Sequence, residues 1–331
     1  MSMIAALALL QVAAASPAPV PATPDLGANL ERFDYPFTVE RLRVPVGGEV
    51  AQMAFMDVRP ATANGRVAVL LHGKNFCGAT WEAAAKLLVA RGWRVLIPDQ
   101  IGFCKSDKPA GAQYTLSGLA ANTARLMKAR GIGRAVIVGH SMGGMLAARF
   151  AIDHPELTDR LVMVNPLGLS DRAVEGVPYR PLADLIADER KTTAATIKAY
   201  QLANYYHGEW RPGYDRWVRM LAGQSAGAGR EAVATAQAKT SEMIFTQPVV
   251  YQFGRIKAPT TVIVGTRDTT VFGRRQAPAS LQQFLKPIPA IAPAAVAKIP
   301  GARLVRLDGV GHAPQVEAPD RFHEALLAAL G

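Results

Sequence analysis

One stretch constrains the fold of this chain more than any other. Ala135-Val136-Ile137-Val138 runs into Gly139-His140-Ser141-Met142-Gly143-Gly144, which runs into Met145-Leu146-Ala147-Ala148-Arg149-Phe150. Apolar, β-favouring residues followed by an Ala- and Leu-rich segment predict a strand, a tight turn and a helix in immediate succession. A serine on such a turn is held at a strained backbone position, with its hydroxyl lifted off the end of the sheet. Small residues are needed at Gly139 and Gly143, because a Cβ there would collide with the adjoining strand and helix. Ser141 is therefore a candidate nucleophile. The five-residue pattern alone fits a purely structural glycine turn equally well, so its context has to decide.

A chain of 331 residues, half of them hydrophobic and 19% charged, can bury a sizeable core and exceeds the usual size of a single domain. One large domain with an insertion, or two domains, is expected. The formal charge of +11 raises the question of nucleic acid, but the 37 Lys and Arg are scattered singly or in pairs such as Arg274-Arg275, with no basic run. No nucleic-acid partner is expected. Ile4 to Ala15 is uncharged and apolar, ends in small residues and precedes Pro17-Ala18-Pro19-Val20-Pro21. It resembles a signal peptide, although no Lys or Arg starts it, and it is shorter than the roughly 20 residues of a transmembrane helix. Export, with residues 1–22 as signal and linker, is expected over a cytoplasmic location, and no stable membrane insertion is. In an oxidising compartment the only two cysteines, Cys77 and Cys104, could pair.

Along the chain, Phe37 to Val46 and Glu49 to Val58 read as strands joined by Gly47-Gly48. Further strands are expected at Arg66 to Leu71, Trp93 to Ile97, Ala135 to Val138, Leu161 to Val164, Thr260 to Val264 and Arg303 to Leu307. Helices are expected from Trp81 to Ala90, capped by Thr80, from Leu116 to Arg130 and from Arg321 to Leu330. This alternation predicts an α/β fold with a mostly parallel sheet, helices on both faces and an antiparallel pair in front. It stops between about Gly168 and Arg255, where helix-like spacing and many Tyr and Trp indicate a helical insertion over the sheet. The expected division is a core of residues 33–167 and 256–331 and a helical cap of residues 168–255. Gln283 to Pro300, with four prolines, reads as an irregular loop.

A parallel sheet delivers all strand C-termini to one edge, and ligands bind in the crevice outside it. His72-Gly73-Lys74, Asp99, Ser141, Asn165, Asp268 and His312 all fall at or just past such ends. Serine needs a base to take its proton, and the base needs an acid to fix its tautomer. The order Ser, Asp, His along the chain suits the strand-turn-helix type of nucleophile. Of the six histidines, His72 is expected to hold a turn and His140 is the variable residue of the elbow. His154 and His323 belong to helices, and His207 lies in the insertion. His312, in a glycine-flanked loop after the last strand, is the expected base. Asp268 is the expected acid, with a plain turn aspartate as the alternative. Asn165 holds the rival acid position without a charge, and Asp308 is too near His312 along the chain. For the oxyanion, the backbone amide of Met142 and a second one from Lys74, or less favourably Asn75, are expected.

Together these landmarks resemble the α/β-hydrolase-fold serine hydrolases. The resemblance is carried by His72-Gly73, Asp99-x-x-Gly102-Phe103-x-x-Ser106, Gly139-His140-Ser141-Met142-Gly143-Gly144, Gly265-x-x-Asp268 and Gly309-x-Gly311-His312-x-Pro314, spread in order over residues 33–330. It implies a catalytic triad of Ser141, Asp268 and His312, and that the insertion is the family's cap. Cys104 stands where the pattern usually has glycine. Ser141 disfavours the aspartate-nucleophile branches, and Met142 disfavours the Gly-x-Ser-Trp-Gly branch of proline iminopeptidases. The family's sheet order makes the strands before Cys77 and Cys104 neighbours, which implies a disulfide, with two free thiols as the alternative. The expected activity is hydrolysis of a small ester or related acyl compound, without metal or organic cofactor. C-C bond, lactone or amide hydrolysis by the same triad, and a silent binding protein of this fold, are the competing readings.

Overall fold

The computed structural model describes residues 23–331, so the expected signal segment lies outside the described residues. Eight strands form one sheet: β1 (Glu40–Val46), β2 (Glu49–Val58), β3 (Val67–Leu71), β4 (Arg94–Pro98), β5 (Ala135–His140), β6 (Thr158–Val164), β7 (Thr260–Gly265) and β8 (Arg303–Leu307). Their order across the sheet is β1-β2-β4-β3-β5-β6-β7-β8. β2 alone runs against its neighbours β1 and β4, and every other pair is parallel.

Both faces of the central strands are buried, and the period of two sorts their side chains into two cores. Val69, Leu71, Leu96, Ile137, Leu161, Met163, Val262 and Val264 share one core, while Ala68, Leu70, Val95, Ile97, Val138, Val162, Val164 and Ile263 share the other. Helices cover each. In chain order they are α1 (Glu82–Ala90), α2 (Leu116–Ala129), α3 (Met142–Asp153), α4 (Leu182–Glu189), α5 (Ala194–Asn204), α6 (Asp215–Gln224), α7 (Arg230–Thr246), α8 (Ala279–Gln282), α9 (Ile288–Val296), α10 (Pro314–Glu317) and α11 (Pro319–Leu330). α2, α3 and α9 pack on the first face through residues such as Leu126, Phe150 and Ala292, and α1 and α11 on the second through Leu88 and Phe322.

The region expected as an irregular loop instead contains α9. Pro289 lies in its first turn, where a missing N–H costs nothing, and Ile288, Ala292, Ala295 and Val296 form a buried stripe despite Pro293. Thr80 does not cap α1. It lies in a 3-10 turn and donates its hydroxyl to the Cys77 carbonyl at 2.7 Å.

Helices α4 to α7 occupy the chain between β6 and β7, with α4 packed on α7 and α5 on α6. The segment before β1 ties this insertion to the core. Leu26 N–H donates to the Gly223 carbonyl at 2.9 Å, and Gln224 Nε2 reaches the Ala28 carbonyl at 2.8 Å. Lys108 Nζ donates to Asn29 Oδ1 and to the carbonyls of Cys104 and Ser106, and burial pushes its pKa down to about 7. No helix of the described residues is long and apolar enough to cross a membrane.

Candidate active site

The strand register sets the site. Leu71 pairs with Gly139, His140 with Val164 and Gly265 with Leu307, so the chain leaves β3, β5, β6, β7 and β8 along one edge. At the end of β5, Ser141 has φ +56° and ψ −119°, a conformation that costs a non-glycine residue roughly 1–3 kcal/mol. Four bonds hold it there. Its N–H donates to the Val164 carbonyl, and its carbonyl accepts from the amides of Gly144, Met145 and Leu167. A Cβ at Gly139 would meet the Gly143 carbonyl, and one at Gly143 would meet the carbonyls of Leu71 and His72. The elbow is therefore possible only with glycine at both places.

The structure brings Ser141, His312 and Asp268 together as one relay. Ser141 Oγ lies 3.0 Å from His312 Nε2, and His312 Nδ1 lies 2.7 Å from Asp268 Oδ2. Asp268 also accepts the Thr270 amide on Oδ1 at 2.8 Å, so it is both the turn aspartate and the imidazole's partner. With Nδ1–H fixed on Asp268, Nε2 is left as the acceptor facing the serine hydroxyl. All three groups are buried; Ser141 keeps 5% of its surface exposed.

Two side chains fix the backbone of the His312 loop, and sequence reasoning gave neither this role. Asn165 has no charge to serve as the acid, yet its amide has another use. Its Nδ2 donates to the carbonyls of Gly311 and His312 at 2.9 and 3.0 Å, while Oδ1 accepts the Gly265 amide at 2.9 Å. A carboxylate could not supply those two donors. His140 Nε2 donates to the same His312 carbonyl at 2.7 Å, leaving Nδ1 buried without a partner among the described residues. Burial, reinforced by His312, holds the His140 pKa well below the ordinary histidine range, so the neutral ring serves as a fixed donor. The signal for both was position, a polar residue at the end of a buried strand.

The loop after β3 lies against the serine. A Cβ on Gly73 would stand 3.0 Å from Ser141 Cβ. Among the described residues, neither the Lys74 amide nor the Met142 amide donates a hydrogen bond, and the Asn75 amide is equally uncommitted. Their side chains are engaged elsewhere. Lys74 Nζ pairs with Glu189 Oε1 at 2.8 Å, and Asn75 Nδ2 donates to the Tyr205 hydroxyl at 2.8 Å. Phe76 packs against His140, Tyr205 and Trp217.

Cys77 closes this loop through a disulfide to Cys104, with Cα atoms 5.7 Å apart. Cys104 has φ +52°, which accounts for the glycine usual at its place in the family pattern. The Asp99 to Ser106 motif supports the same turn. Asp99 accepts from Gly78 N–H, Lys105 N–H and the Tyr35 hydroxyl, and Ser106 bridges the Ala54 amide to the Asp99 carbonyl. His72 holds its turn as expected, donating from Nδ1 to the Gly73 carbonyl and accepting the Gln100 amide on Nε2. His72, Asp99 and Cys104 come close enough to resemble a metal site, but these bonds and the disulfide already occupy their donor atoms. His207, in the insertion, meets the buried Glu317 at 2.6 Å, and Glu317 in turn accepts the Gly311 amide at 2.7 Å.

The sequence model of the α/β hydrolase fold matches residues 67–319, and the chain belongs to that family. The chain is similar to a probable hydrolytic enzyme of Pseudomonas aeruginosa PAO1 seen in a crystal structure, with 48% identity and a TM-score of 0.92 over 93% of this chain and 99% of that one. It is 28% identical over 272 residues to the 2-hydroxy-6-oxo-6-phenylhexa-2,4-dienoate hydrolase of Burkholderia cepacia, covering 80% of this chain and 87% of that protein. An uncharacterized protein of Mycobacterium tuberculosis is 36% identical over 107 residues, a match that spans only 31% of its length.

Proposed function

We propose that this protein is a serine hydrolase that cleaves a small ester or related acyl compound through an acyl-enzyme. The observation that carries this reading is the buried relay from Ser141 through His312 to Asp268, with uncommitted amides beside it. His312 Nε2 takes the Ser141 proton as Oγ attacks the acyl carbon. Asp268 keeps the ring oriented and offsets the charge of the imidazolium. The amides of Met142 and Lys74 receive the oxyanion without rearranging. Collapse expels the alcohol, protonated by His312, and a water activated by the same ring releases the acid. Helices α4 to α7 act as a cap that shapes the substrate site.

Ser141→Ala is expected to lower hydrolysis of p-nitrophenyl esters by at least about a thousandfold and to abolish labelling by a fluorophosphonate. Full ester hydrolysis by this variant would sink the mechanism. The relative from Burkholderia cepacia favours C-C bond hydrolysis as a second reading. A panel of aryl diketone ring-fission products against short esters, each compared with Ser141→Ala, separates the two. We also propose that the protein is exported, a location that suits its disulfide. N-terminal sequencing of the mature chain checks this, and an intact Met1 in a cytoplasmic fraction would refute it.

A further inference from the structure

We infer that Tyr205, carried by the insertion, is a catalytic residue whose hydroxyl donates a hydrogen bond to the oxygen of the scissile acyl group, an inference resting on the acyl-transfer reading above. Three contacts define where its side chain runs. Its carbonyl accepts the His312 amide at 3.0 Å. Its ring lies against the His312 imidazole, centroids 4.6 Å apart and planes inclined by 35°. Its hydroxyl accepts Asn75 Nδ2–H at 2.8 Å. The residue thus starts at the backbone of the base, crosses the imidazole and ends on the loop whose Gly73 lies so near the serine that a Cβ there would stand 3.0 Å from Ser141 Cβ. Its partner Asn75 directly follows Lys74, whose uncommitted amide is one of the two expected oxyanion donors.

A phenol has one hydrogen to give and lone pairs to receive. Asn75 uses a lone pair, and among the described residues nothing accepts the hydrogen. Burial pushes the Tyr205 pKa well above the ordinary tyrosine value, so the hydrogen stays in place across the working pH range. A buried hydroxyl that donates to nothing carries the desolvation penalty of its hydrogen, and phenylalanine would pack as well without that penalty. A substrate oxygen that gains charge in the transition state relieves it. Because Asn75 and the stacked imidazole fix the ring, the donor needs no reorganisation when the charge appears.

Tyr205→Phe keeps the ring, the volume and the carbonyl that holds His312. Its kcat/KM for p-nitrophenyl butyrate is expected to fall about a hundred- to a thousandfold, mostly in kcat, as for loss of one donor to an oxyanion. Affinity for phenylboronic acid, which forms a tetrahedral adduct on serine, is expected to fall by a similar factor. Asn75→Ala, which frees the hydroxyl from its partner, should show a smaller loss of the same kind. A kcat/KM within twofold of wild type overturns the inference, as does a loss confined to KM with unchanged boronate affinity. Complete fluorophosphonate labelling of Tyr205→Phe at Ser141 shows that the acyl-transfer reading stands whichever result is found. Absence of labelling in the wild type overturns that reading, and the inference with it.

Discussion

Reducing the Cys77–Cys104 disulfide offers the sharpest separation of scaffold from chemistry. The bridge closes a loop with a sequence separation of 27, for which the chain-entropy relation gives about 3.5 kcal/mol at 25 °C. At roughly 2.1 cal/mol/K per residue over the described chain, that is a fall in Tm of about 5 °C. Both sulfurs are buried, so reduction leaves the core volume intact, whereas Cys77→Ala with Cys104→Ala also opens a cavity and should cost more. Melting curves of oxidised, reduced and double-variant protein, with thiol counts taken in denaturant, measure the two terms separately. Ester hydrolysis by the folded, reduced protein should fall through kcat, because Cys77 ends the turn that presents the Lys74 and Asn75 amides. A reduced protein melting within about 1 °C of the oxidised one would refute the loop-entropy reasoning.

Asn165→Ala strands the Gly265 amide and the Gly311 carbonyl, while His140 still serves the His312 carbonyl. At about 1–3 kcal/mol for each orphaned group, urea unfolding should show a loss of roughly 2–6 kcal/mol, and kcat should fall as the base loop loosens. A variant with the wild-type midpoint and kcat would show that the clamp is redundant. Lys108, pushed down to about 7 from an ordinary 10.5, makes the unfolded chain hold the extra proton between those values. Its penalty is fully present below pH 7 and is lifted as pH rises toward about 10.5, so its contribution to stability increases with pH across that window. Urea midpoints from pH 6 to 9.5 should climb less steeply in Lys108→Met than in wild type, and equal slopes would rule this out.

The sheet was legible because its central strands are bounded by turn residues and each leads to a polar group at the same edge. That rule brings the elbow, Asp268 and His312 to one edge together with His72, Asp99 and Asn165, and the order Ser, Asp, His along the chain with the resemblance to the family's motifs selects among them. The disulfide was implied only by the resemblance to the family's sheet order, beside two free thiols as the alternative, and the left-handed backbone at Cys104 explains a departure from the family pattern that had no account in the sequence. Other features were hidden for physical reasons. Prolines masked α9, since the buried stripe of Ile288, Ala292 and Val296 outweighs one proline in its interior. Asn165 was invisible as a clamp because its partners are backbone groups of residues 265, 311 and 312, a contact that leaves no trace in side-chain spacing. Tyr205 was one aromatic among many in the insertion, and only the closure of α5 onto the His312 loop distinguishes it.

The loop from Gly73 to Cys77 explains how such a site can couple substrate selection to chemistry. Among the described residues the Lys74 and Asn75 amides are uncommitted, while the side chains of the loop are fixed to three different parts of the chain. Lys74 is tied to Glu189 at the end of α4, Asn75 to Tyr205 after α5, and Cys77 to the turn after β4, with Phe76 wedged between His140 and Trp217. Helices α4 to α6 therefore cannot shift over the site without pulling on the donors that would receive the oxyanion. In a site where the insertion merely excluded solvent, substitutions at Glu189 or Trp217 would alter KM alone. Here they act on the loop that carries the Lys74 amide beside Ser141, and their effect belongs in kcat as well.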